Sequence, residues 1–286
     1  MVLLCSLATF AVTGERAMDR VLLNEKLYDL WKKRSEWWVR TQRVCVSGLQ
    51  HIPRQGAAVL AANHINWKDI FFIGGVVPRR VSFVGTAELF DLEVCREMVE
   101  RYIREHFSFA WAKGTIRRVS DWAARVMVTR VPYCGTIPVK RGVNDKSFFA
   151  LAKEALRQGS LLCIFPEGGT SRPERLRRFK YGLAKIVYDL HHEGLEDIPI
   201  LPTALRGTEH PYFPGRKLTF RVGAPHYIRD YIASHEKQTL RLFSERLRDS
   251  VQELLERGKQ YARRIGLSDE SVAGDSTGGE LPLCAT

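Results

Sequence analysis

The chain has 286 residues, 45% of them hydrophobic, and a formal net charge of +12. That length and apolar content suit one large or two small globular domains with a sizeable core, and they argue against a wholly disordered chain. The charge attracts polyanions (nucleic acid, an anionic membrane surface or a phosphorylated ligand) and does not choose among them.

Residues 1–14 are uncharged and mostly apolar. They are too short for a membrane span and lack the basic leader of a signal peptide; Met18 is an alternative start. Arg16–Thr41 reads as helix, with Met18, Val21, Leu22, Leu27, Leu30 and Trp31 at helical spacing. Lys32, Lys33, Arg34 and Arg40 surround Trp31, Trp37 and Trp38. Rings beside cations suit a lipid headgroup interface, and a plain amphipathic helix packed on its own core shows the same stripe.

Short apolar strands are predicted at 57–62, 80–84, 136–139 and 161–165, with weaker ones at 198–202, which carries two prolines, and 217–222. Helices are predicted within 91–130, at 147–158 closed by Gly159, at 181–191, and from about Lys237 to Ile265. Leu240, Phe243, Leu247, Val251 and Leu254 give the last helix one core face. The acidic remainder, Leu267–Thr286, is expected to be disordered. The six cysteines show no CxxC pair and no Cys/His metal spacing, so Cys134 and Cys163 are read as buried thiols. Strands alternating with helices predict an α/β fold: a mostly β-sheet core flanked by helices, with helical additions at both ends.

Two motifs carry chemistry. His64 directly follows the 57–62 strand, and Asp69 falls five residues on, where its carboxylate can fold back onto the imidazole. A carboxylate on one ring nitrogen fixes the tautomer and stabilises the cation formed when the other nitrogen takes a proton. The alternative is a helix cap beside a surface histidine. The second motif, Phe165-Pro166-Glu167-Gly168-Gly169-Thr170-Ser171-Arg172, runs from a strand into a glycine pair and then into Arg172, Arg175, Arg177, Arg178 and Lys180. Glycines admit close backbone approach, and exposed amides with cations bind phosphate; a solvated basic turn or a nucleic-acid contact has the same composition. The missing GKS/T ending rules out a nucleotide P-loop. Between these motifs, a strand ending in Val139 delivers Lys140 and Arg141.

These blocks, in this order, resemble the phospholipid/glycerol acyltransferase family, which includes the glycerol-3-phosphate and lysophosphatidate acyltransferases. Pro199-Ile200-Leu201-Pro202-Thr203-Ala204 is similar to that family's fourth, proline-bearing block. The resemblance covers roughly residues 45–225. It implies His64 as general base and Asp69 as its orienting partner, with direct attack of a hydroxyl on the thioester of acyl-CoA or acyl carrier protein. It implies acceptor contacts from Lys140, Arg141, Glu167, Gly168, Gly169, Thr170, Arg172 and Lys180, and no metal or cofactor. Lysophosphatidate is the first expected acceptor, with another lysophospholipid or glycerol-3-phosphate as alternatives. Many members read Glu-Gly-Thr-Arg-Ser where this chain reads Glu-Gly-Gly-Thr-Ser-Arg, which moves the arginine two positions on.

The expected organisation is a membrane-association segment at 1–44, an acyltransferase domain at 45–228 with a helical insert at 91–130, a helix at 229–266 and a tail at 267–286. The expected site of action is the cytoplasmic face of a membrane. The rival from another class is a basic nucleic-acid-binding protein, which leaves the His64/Asp69 spacing and the block order unexplained and has no zinc-finger or RRM signature.

Overall fold

A computed structural model describes residues 23–106, 113–140, 145–171, 175–195, 197–209 and 213–264. The apolar start, Met18, Arg141, Arg172 and the acidic tail lie outside these residues.

The described elements run α1 (Glu25–Arg40), β1 (Arg43–Ser47), β2 (Ala58–Ala62), α2 (Asp69–Val76), β3 (Val81–Thr86), α3 (Leu92–His106), α4 (Lys113–Arg130), β4 (Ile137–Val139), α5 (Lys146–Arg157), β5 (Leu161–Ile164), α6 (Gly182–His192), β6 (Ile200–Arg206), β7 (Lys217–Val222) and α7 (Glu236–Arg264). The strands form one sheet in the order β1-β7-β6-β2-β5-β3-β4. This is a mixed α/β fold, as the alternation of strand and helix patterns predicts. β2 pairs in parallel with β5 on one side and β6 on the other, while β6 and β7 are antiparallel.

The chain divides into two compact units. One holds the described residues up to Tyr28 with Val84–Ala152; in it α3 and α4 pack together, joined by an Arg96–Asp121 ion pair, and the second half of β3 pairs with β4. The predicted 91–130 helical stretch is thus two helices. The other unit, Asp29–Phe83 with the described residues from Lys153 on, holds the main core.

In that core β2 is buried at all five positions, as a central strand covered on both faces requires, so it reads as one apolar run rather than an alternation. β7 alternates, with Leu218, Phe220 and Val222 inward. α1 lies against α2 at Gly74, where a Cβ would stand 2.2 Å from the Trp31 ring. Lys32 Nζ donates to the carbonyls of Gly74 and Val77 at 3.1 and 2.9 Å, satisfying the C-terminal end of α2. Strand β1 has no counterpart among the predicted strands; it follows α1 after only two residues and pairs with β7 from Arg43↔Lys217 to Ser47↔Arg221.

Cys95, Cys134 and Cys163 are free thiols. Cys163 is buried as expected and its pKa is pushed well up by burial; Cys134 is only partly buried, with its thiol pushed up to about 11.

Candidate active site

Three neighbouring strands end side by side. β2 runs into His64, β5 into Glu167 and β6 into Thr208, and in the order β6-β2-β5 all three run parallel. Clefts for ligands open outside such carboxyl ends. Asn63, 1% exposed, extends the ladder with its side chain: Nδ2 donates to the Leu205 carbonyl at 3.1 Å, and Oδ1 accepts from the Leu205 N–H at 2.8 Å. That amide clasp fixes the chain leaving β2 against the chain leaving β6.

Asp69 opens α2 and is fully buried. Its Oδ2 accepts from His64 Nδ1 at 2.8 Å and from the backbone N–H groups of Ile65 and Asn66 at 2.7 and 2.9 Å. Its Oδ1 accepts from the Thr208 hydroxyl at 2.5 Å. The carboxylate therefore ties the 64–69 turn and holds the imidazole; it accepts from N–H groups that precede α2 and caps none of that helix's own, so the pairing is present and the helix cap is not. The His64 ring stacks on Phe165, centroids 4.1 Å apart and planes 20° from parallel. With Nδ1 donating to Asp69, Nε2 is the nitrogen left to accept a proton, and among the described residues it has no hydrogen-bond partner.

Glu167 is 4% exposed and its two oxygens face backbone. Oε1 accepts from the His64 N–H at 3.1 Å and Oε2 from the Arg177 N–H at 2.8 Å. The Ser171 N–H donates to the His64 carbonyl at 2.7 Å, so the glycine turn grips His64 from both sides of its peptide. Gly168 has φ +69, and a Cβ there would stand 2.6 Å from Lys180 Cε and Nζ; only glycine lets the lysine lie across the turn. An Arg177 guanidinium nitrogen lies 3.5 Å from the Cβ position of Gly169. Among the described residues neither Arg177 nor Lys180 is paired with a carboxylate. Arg248 of α7 braces this stretch by donating to the carbonyls of Leu176 and Arg177, both at 3.2 Å.

Of the sequence-predicted residues, His64, Asp69, Glu167, Gly168, Gly169, Thr170 and Lys180 belong to this one unit. Lys140 belongs to the other, exposed, its N–H held by Asp145 Oδ2 at 2.8 Å. Arg141 and Arg172 lie outside the described residues. Sequence reasoning missed Thr208, the Asn63 clasp, the bond from Arg177 to Glu167, and the burial of Lys68, 1% exposed, whose pKa is lowered by desolvation against the opposing pull of Asp69 and Glu209. Among the described residues no cluster of three or more His, Cys, Asp or Glu could hold a metal ion. None of their helices is long and apolar enough to cross a membrane.

Comparison with known proteins fits this geometry. The chain is 27% identical over 138 residues to Tafazzin of Drosophila melanogaster, covering 41% of this chain and 34% of that protein. It is 28% identical over 159 residues to the lyso-ornithine lipid O-acyltransferase of Pseudomonas aeruginosa, covering 52% and 46%. The chain thus spans less than half the length of either relative. The crystal structure of the 1-acyl-sn-glycerophosphate (LPA) acyltransferase PlsC of Thermotoga maritima superposes with a TM-score of 0.51 at 20% identity, over 82% of this chain and 79% of that one, and so shares the fold. The family model described as Acyltransferase matches residues 43–206, more than half of the chain and the whole span from β1 to the end of β6; the protein belongs to the acyltransferase family.

Proposed function

We propose that the protein is a peripheral membrane O-acyltransferase. It moves an acyl chain from acyl-CoA or acyl carrier protein to the free hydroxyl of a lysophospholipid, foremost lysophosphatidate, giving phosphatidate. The observation that carries this reading is the buried Asp69 carboxylate on His64 Nδ1 at 2.8 Å, which leaves Nε2 as a base at the mouth of the parallel strands. The acceptor hydroxyl gives its proton to Nε2 as its oxygen attacks the thioester carbonyl. The tetrahedral oxyanion collapses, the C–S bond breaks, and the thiolate leaves with the proton returned from Nε2. Such base catalysis is worth roughly 10²–10⁴-fold, and Asp69 stabilises the imidazolium formed midway.

Lys180 and Arg177, lying over Gly168 and Gly169, supply cations for the acceptor's phosphate. Thr170 and Arg172 are assigned to the same acceptor, and Lys140 and Arg141 keep the acceptor role that the family resemblance implies. Glu167 serves it indirectly, since its carboxylate is committed to backbone N–H groups. Holding the phosphate keeps the hydroxyl near the thioester.

The membrane is met by the outward stripe of α1: Leu30, Lys33, Arg34, Trp37 and Arg40 are all exposed, Trp37 at 69%. Indole at the headgroup level with cations beside it suits an anionic surface. Because α1 is seated on α2 through Trp31 and Gly74, that surface is coupled to the helix that starts at Asp69. The cytoplasmic face, where acyl thioesters are met, is the proposed site of action.

A second acceptor class is favoured by one relative's name, a lyso-ornithine lipid O-acyltransferase. The test is purified protein with acyl-CoA or acyl carrier protein donors and a panel of lysophosphatidate, other lysophospholipids, glycerol-3-phosphate and lyso-ornithine lipid. Highest kcat/KM on lysophosphatidate supports the reading. Turnover confined to the phosphate-free acceptor overturns the acceptor assignment, and turnover of none overturns the activity.

A further inference from the structure

A general base of this kind needs one carboxylate oxygen on the imidazole, yet Asp69 has two and neither reaches water. Oδ2 already takes three donors, His64 Nδ1 and the N–H groups of Ile65 and Asn66. Among the described residues Oδ1 has a single donor, the Thr208 hydroxyl at 2.5 Å, with Thr208 itself 1% exposed. That is the short end of the range for a hydroxyl on a carboxylate, where such bonds are strongest.

The backbone delivers Thr208 with little freedom. Gly207, just past β6, has φ +95, and a Cβ there would stand 2.1 Å from the Lys217 carbonyl oxygen, so β6 must turn here on a glycine. The Gly207 N–H donates to Glu209 Oε2 at 2.9 Å, closing the turn around Thr208. Two residues before Gly207, the Asn63–Leu205 clasp fixes where that turn stands relative to the 64–69 turn.

A buried carboxylate oxygen left without a donor is costly. The three donors hold Asp69 at Oδ2, and the Thr208 hydroxyl holds it at Oδ1, so the plane of the carboxylate is fixed at both ends. We propose that Thr208 is a positioning residue of the reaction: its hydroxyl on Asp69 Oδ1 fixes the carboxylate rotation that aims His64. The relay then reads Thr208–Asp69–His64, with its first member contributed from beyond the end of the matched family stretch at residue 206. The inference rests on the assignment of His64 and Asp69 as the catalytic pair.

The experiment compares the full-length protein with Thr208→Val, which keeps the shape and removes the donor, and Thr208→Ser, which keeps the donor. Steady-state acyl transfer is read together with the downfield proton resonance of His64 Nδ1–H, assigned by its loss in His64→Ala. Thr208→Val is expected to lower kcat about tenfold or more, the worth of one buried hydrogen bond to a charged group, while the KM of donor and acceptor move little. Its His64 resonance should broaden or shift, and Thr208→Ser should restore both readouts. In an Asp69→Asn background, Thr208→Val should cost almost nothing more, whereas a merely structural hydroxyl would cost the same in both backgrounds. If Thr208→Val does not fold, Thr208→Ala carries the same comparison. Wild-type kcat with an unmoved resonance in the donorless variant overturns the proposal, as does equal loss in Val and Ser. An inactive His64→Ala beside an unaffected Thr208→Val sinks this inference alone; an active His64→Ala sinks the catalytic pair beneath it.

Discussion

Glu167 holds His64 by its backbone: Oε1 accepts from the His64 N–H at 3.1 Å while Oε2 accepts from the Arg177 N–H at 2.8 Å. One buried carboxylate thus fixes the His64 turn after β2 to the cationic stretch after β5. Glu167→Gln puts an amide N–H against one of these N–H groups and breaks a bond at a buried site. It is expected to cost about 1–3 kcal/mol of stability and to lower kcat with it. Thermal melting and steady-state rates check this; an unchanged melting temperature with only acceptor KM raised would show the carboxylate on substrate instead.

Gly168 separates the turn's shape from its charge. Gly168→Ala strains a φ of +69 and drives a methyl into Lys180. Acceptor KM should rise several-fold while acyl-CoA KM stays near wild type. Lys180→Met should do the same without the strain. Equal effects on both substrates in the two variants count against a phosphate role for Lys180.

How much of this was legible follows from where each contact is made. The His64/Asp69 spacing and the glycine turn are local, and local spacing can be read from a chain. Thr208 meets Asp69 across 139 residues, and nothing near either residue announces the other. Lys68 looks like a solvated lysine between Trp67 and Asp69, and only tertiary packing buries it. The prolines weaken the strand predicted at 198–202, yet β6 runs Ile200–Arg206. The Pro202 carbonyl faces β7, accepting from the Gly223 N–H at 2.8 Å, so its missing N–H falls on that side too, where the β6–β7 ladder starts only at Thr203. Strand β1 was illegible because two polar residues, Thr41 and Gln42, are all that part it from α1.

Outside the site, His226 gives a pH signature. Its ring nitrogens meet the Tyr231 hydroxyl at 2.7 Å and Ser250 Oγ at 3.0 Å, and burial, helped by Arg246, lowers its pKa from 6.5. As pH falls through 6.5 the unfolded chain binds the proton first, so stability from this group is present above that range and is lost until the folded pKa is passed. The melting temperature of wild type should therefore drop more between neutral and mildly acid pH than that of His226→Gln. Parallel curves would show that His226 does not contribute.

The α1 stripe predicts salt-sensitive binding to lipid. Trp37→Ser combined with Lys33→Glu should weaken pelleting with anionic vesicles, and raised salt should weaken the wild type in the same direction. The change leaves the inward residues Trp31, Ser35 and Val39 untouched, so folding should hold. Unchanged pelleting would move the membrane contact elsewhere.

The most direct measurement is acyl transfer by His64→Ala. A fall in kcat of about 10²–10⁴-fold is expected with both KM values little changed, because Nε2 acts on the proton in flight rather than on binding. Wild-type turnover by that variant, folded and on the same lipid, would contradict it.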